Sequence, residues 1–122
     1  ECSLLIKPDD IFKFLDRFED DENIGLLLDL GHLVISSNYF GFNKERFLEK
    51  LYQSYDNKVF AIHLSGNDGK KDLHCQLNKD SWQLKVLKDI NLNGIPVTLE
   101  LRNLSKDIIL DQYNLVENEL GI

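Results

Sequence analysis

The stretch IGLLLDLGHL, Ile24–Leu33, decides how this chain reads. Its first five residues are four apolar side chains and a glycine, a run of strand length without the alternation of a strand wetted on one face. The run delivers Asp29, and His32 stands three residues further on. A carboxylate at the end of a core strand is costly to bury unless it caps, pairs or binds something. The stretch therefore raises a functional question together with a structural one.

Working outward, the same rhythm repeats. KPDDIFKFLDRF, Lys7–Phe18, has a proline near a helix start, early aspartates, and Ile11, Phe14, Leu15 and Phe18 at helical spacing. NKERFLEKLYQSY, Asn43–Tyr55, predicts a helix capped by Asn43 with Phe47, Leu48, Leu51 and Tyr55 on one face. KVFAIHL, Lys58–Leu64, reads as a strand. DSWQLKVLKDI predicts a helix capped by Asp80 or Ser81, and Asn93-Gly94 turns the chain into the short strand IPVTLEL. A last helix follows Ser105. Strands and helices alternate without hairpin signals, which predicts an α/β fold built on a parallel sheet covered on both faces. In this reading His32 falls in the loop after the first strand.

Composition bounds the function. The chain of 122 residues, 43% hydrophobic and 29% charged, is one domain's worth of ordinary globular composition. No apolar run approaches the roughly 20 residues of a membrane span, and the N-terminus has no signal-like character. Two cysteines, Cys2 and Cys75, are too few for a disulfide framework, so a cytoplasmic location is the expectation. A formal charge of −7 weighs against nucleic acid as a partner. There is no methionine, and the chain opens on ECSLLIKPDD, so a piece of a longer polypeptide is expected.

The polar residues fall at telling places in the rhythm. Asp29 ends the first strand, His63 lies near the end of the second and Glu100 near the end of the third, with Glu1 in the same place of an earlier unit. Each step is about the length of one βα unit. The C-terminal ends of parallel strands converge on one mouth. Three carboxylates and an imidazole gathered there call for a cation, and oxygen ligands with one imidazole suit Mn²⁺, Mg²⁺ or Zn²⁺. Each residue also has a plainer reading. His63 could be a hydrogen-bonded core histidine, Glu100 a surface residue on an edge strand, and Asp29 a helix or loop cap. His32 could orient a ligand or merely occupy a loop, and Asp72 and His74 could belong to a solvated turn. Trp82 and the group Tyr39, Phe40 and Phe42 read as packing.

LLLDLGHL, AIHLSG, KKDLHCQL and PVTLEL resemble successive motifs of the xylose-isomerase-like barrels, which include sugar and sugar-phosphate isomerases and epimerases and endonuclease IV. The resemblance covers the whole chain and implies the C-terminal half of a (β/α)₈ TIM barrel, with residues 1–122 a single partial domain. It implies a divalent metal held by Glu1, Asp29, His63 and Glu100, and proton transfer next to a metal-chelated carbonyl by Glu1 and Glu100. His32, Asp72 and His74 resemble the set that holds an additional zinc in the endonuclease branch. A small carbohydrate substrate follows, with no membrane partner and with the missing barrel half or a second chain as the structural partner.

Only three complete units and the tail of another are present. The glycine-rich stretch usual after the late histidine motif is replaced by CQLNKDSW. Three further readings stand beside the isomerase or epimerase. They are an endonuclease IV-like phosphodiesterase on abasic DNA, an iron-dependent peptide-modifying barrel, and a barrel half without catalysis that serves as an interaction module.

Overall fold

The computed structural model describes residues 7–92 and 94–122. Their order is α1 (Pro8–Arg17), β1 (Leu26–Asp29), α2 (Leu30–Phe40), α3 (Lys44–Tyr55), β2 (Val59–Leu64), α4 (Trp82–Lys88), β3 (Val97–Leu99) and α5 (Lys106–Leu120). The fold is α/β, with a three-stranded parallel sheet in the order β1-β2-β3. Among the described residues no helix is long and apolar enough to cross a membrane.

Local chemistry explains most boundaries. Pro8 opens α1, where its missing N–H costs nothing. Asn43 caps α3 by accepting from the Arg46 backbone N–H at 2.8 Å, and Ser105 caps α5 through the N–H of Ile108. At α4 the hydroxyl of Ser81, the N-cap residue, accepts instead from the N–H of Asn78. Lys58 is buried at the far end of α1, where its ammonium donates to the carbonyls of Phe18 and Asp21, both at 2.8 Å. Both carbonyls, in the turns that follow α1, also accept a backbone N–H, from Asp21 and Ile24, and the ammonium takes up their remaining acceptor capacity.

The core lies between the helices and one face of the sheet. Leu28, Ile62 and Leu64 point to it and are joined by Leu15, Leu30, Leu51, Leu84 and Leu87. Successive side chains on a strand alternate between faces. The other face therefore carries Leu27 and Asp29 of β1, Ala61 and His63 of β2, and Thr98 of β3. Leu27 is 49% exposed and Thr98 is exposed, so this face is open among the described residues. The expected cover on both faces is corrected accordingly. The apolar strands reflect a dry face on one side and an open face on the other that mixes apolar Leu27 and Ala61 with polar Asp29, His63 and Thr98.

A second correction concerns α2. Leu30–Phe40 is a helix, not a loop, so two helices connect β1 to β2 and His32 sits in the first turn of α2. The helix ends at Gly41, whose φ of 71° places it in the left-handed region and lets its N–H return to the Ser37 carbonyl at 2.9 Å.

Candidate metal centre

Asp29 and His63 are direct partners in the pairing of β1 with β2. His63 is in turn opposite Thr98, and Glu100, two residues beyond Thr98, shares its face. The Glu100 N–H extends the ladder by donating to the Leu64 carbonyl at 2.8 Å. Sheet register alone thus carries three ligand types from three strand ends to one place. One donor atom from each of Asp29, His63 and Glu100 can lie within 4.8 Å of the others. His63 Nδ1 is 3.0 Å from Glu100 Oε1, and all three side chains are half-buried.

Asp29 has two tasks. It is the N-cap of α2, its Oδ1 accepting from the His32 N–H at 2.8 Å, and its Oδ2 lies 2.9 Å from His32 Nδ1. The cap reading is realised, by a side chain that also stands at the end of β1. The contact leaves His32 Nε2 facing outward from the helix, 3.2 Å from Asp72 Oδ2.

Asp72 and His74 come from the long connection between β2 and α4. Gly66 and Cys75 pair across it in both directions, at 2.9 and 2.8 Å. Asn67 donates to the Gly31 carbonyl and Asn38 to the Gly69 carbonyl, each at 2.8 Å, which fastens the near arm to α2. The expectation of a solvated turn is corrected for His74, which is 4% exposed. Its φ of 50° is unusual for a residue with a side chain and is held by these surroundings.

His74 Nδ1 lies 3.2 Å from the Glu100 carbonyl oxygen. A carbonyl only accepts, so Nδ1 donates to it, and Nε2 lies 2.8 Å from Asp72 Oδ2. His32, Asp72 and His74 form a second group whose donor atoms lie within 4.8 Å of one another. Partial burial works to raise the Asp72 carboxyl, but hydrogen bonds from His32 and His74, with their charge, outweigh it and hold it below the usual carboxylate range.

The two groups are contiguous. Asp29 reaches His32, and Glu100 reaches both His63 and His74, the latter at 3.6 Å to Nδ1. A cleft of about 410 Å³ opens against them, lined by Leu27, Asp29, His32, His63 and Glu100 among others. No lysine or arginine is among the described residues that line it. Donor chemistry and convergence fit divalent cations at both groups. Three imidazoles among the six candidate donors suit zinc or manganese better than magnesium.

Six of the seven residues singled out by strand-end placement or by the resemblance are therefore brought together, in two neighbouring groups of three. The seventh, Glu1, lies outside the described residues. Reading by strand ends passes over Asn38 and Asn67, whose amides tie the β2–α4 connection to α2, and Gln112 of α5, whose amide bonds both backbone polar groups of Leu77. A polar residue on the buried stripe of α5 was the available signal for Gln112; the two asparagines carry no local one. Comparison with known proteins finds no matching family model, no matching curated protein and no matching solved structure.

Proposed function

We propose that this chain supplies most of the metal centre of a (β/α)₈ barrel, of the xylose-isomerase-like kind, that isomerises or epimerises a sugar or sugar phosphate. The observation that carries this reading is the convergence of Asp29, His63 and Glu100 on the open sheet face, beside a cleft of small-molecule size. The open face, and the sheet edges at β1 and β3 that are unpaired among the described residues, are where the remaining strands of such a barrel would pack.

A bound divalent cation would polarise a chelated carbonyl and acidify the carbon beside it. Asp29 and His63 would hold that cation. Glu100 contributes one oxygen to the ligand group, and its other oxygen is the candidate for taking and returning the substrate's proton, with Glu1 as the second carboxylate. Leu27, on the same face, lines the cleft and would give the reacting carbon an apolar wall that limits water. Loading the full-length protein with manganese or zinc and offering a panel of aldoses, ketoses and their phosphates tests the reading. Turnover that disappears in Glu100→Gln, with the fold retained, supports it; undiminished turnover in that variant rejects it.

A second reading has its own observation. The His32–Asp72–His74 group would place another cation beside the first, and adjacent cations suit phosphodiester cleavage. Against it, the chain has a net charge of −7, and the cleft lining offers no cation for a phosphate backbone. Cleavage of an abasic duplex by the metal-loaded protein would establish this alternative.

A further inference from the structure

The segment that presents His74 is fixed by backbone contacts on two sides and by one side-chain amide on a third. Cys75 is paired with Gly66 at the exit of β2, and the His74 carbonyl accepts from the Arg102 N–H, just past β3, at 3.2 Å. On the third side stands Gln112, in the middle of α5 and only 6% exposed. Its Oε1 accepts from the Leu77 N–H at 2.6 Å, and its Nε2 donates to the Leu77 carbonyl at 3.1 Å. The amide thus behaves as a strand neighbour would, closing both polar groups of one buried residue.

An apolar side chain would be the ordinary occupant of that place, because Gln112 shares its helix stripe with buried Val116. The amide is the choice that fixes the height of α5 against the segment, since two hydrogen bonds to one peptide allow little sliding. His74 needs such fixing: it is in a left-handed backbone conformation, and its ring must meet both the Glu100 carbonyl and Asp72. A ligand displaced by half an ångström or so no longer completes a site.

We propose that Gln112 is a positioning residue for the His32–Asp72–His74 cation site, acting through Leu77 and the segment that begins at His74. The proposal rests on the reading that this group binds a cation. Residues that orient metal ligands typically change affinity by about 10–100-fold when replaced. Gln112→Leu is accordingly expected to weaken the second cation about tenfold or more and to leave the Asp29–His63–Glu100 cation unchanged. Gln112→Glu keeps the acceptor for the Leu77 N–H but turns a second acceptor toward the Leu77 carbonyl, so its affinity should fall between those of wild type and Gln112→Leu.

The experiment is a Co²⁺ titration of the three proteins followed by visible absorption, with thermal melting in the presence and absence of the cation. Selective weakening of the second cation, in the order wild type, Gln112→Glu, Gln112→Leu, supports the proposal. Equal weakening of both cations in step with a lower melting temperature would show a structural clamp only and overturn it. Unchanged binding in both variants would overturn it as well, while leaving the metal reading intact. A His32→Ala variant that binds as many cations as wild type would overturn the metal reading for this group and the positioning role with it.

Discussion

Asp29 and His63 stand opposite each other at the ends of β1 and β2, and Asp29 is at the same time the cap of α2. One carboxylate therefore serves a helix and a candidate cation. The two services separate on substitution, because an amide caps as well as a carboxylate but is a far weaker ligand.

Asp29→Asn should keep the stability of the cation-free protein within a few tenths of a kcal/mol, yet lose the first cation. Asp29→Ala should lose that cation too and cost about 1 kcal/mol besides. Denaturant unfolding in chelator and cation titration, run on both variants, measure the two effects. Equal destabilisation by the two substitutions would contradict the capping role.

Gly31 allows the first turn of α2 to touch the end of β2. A Cβ there would stand 2.4 Å from the hydroxyl oxygen of Ser65, which is itself buried. Gly→Ala inside a helix ordinarily gains about 0.5–1 kcal/mol. Here overpacking should reverse the sign, and Gly31→Ala should destabilise by about 1–2 kcal/mol. In a Ser65→Ala background, with the hydroxyl gone, the same change should be neutral or favourable. A penalty equal in both backgrounds would place the strain elsewhere.

Tyr52 gives an alkaline signature. Burial pushes its phenol from 10.0 up to about 12, because ionisation there lacks water, and its hydroxyl has no hydrogen-bond partner among the described residues. The folded pKa lies above the unfolded one, so the neutral phenol's contribution is fully present below pH 10 and is lost as the pH rises from 10 to about 12. Tyr52→Phe should remove this part of the alkaline loss and be neutral or slightly stabilising at pH 7. Stability curves over that range, with tyrosinate absorbance, test it; an unchanged alkaline slope in the variant would contradict the assignment.

The parallel strands and their polar ends were legible because nearly apolar runs of strand length, each closed by an ionisable residue, leave few alternatives. The caps at Asn43 and Ser105 were legible for a similar reason, as one side chain makes the decisive bond. The helix α2 was not. LGHLVISSNYF buries Leu30, Gly31, Leu33, Ile35, Ser36 and Ser37, so several faces are covered and no 3.6-residue stripe stands out. Its Val34, Ile35 and serines add weak helix propensity, which tertiary packing overrides. Nor could NDGKKDLH disclose that His74 is buried. That burial comes from the Cys75–Gly66 pairing and the Glu100 carbonyl, contacts distant along the chain.

The most direct test of the central claim is the cation content of the purified protein, by elemental analysis for manganese, iron, zinc and cobalt after loading and desalting. Two ligand groups predict two cations per chain, one of them lost in His32→Ala and the other in His63→Ala. A wild-type protein that retains no cation, and whose melting temperature added zinc or manganese does not raise, would contradict the account, because a cation that binds only the folded state must stabilise it.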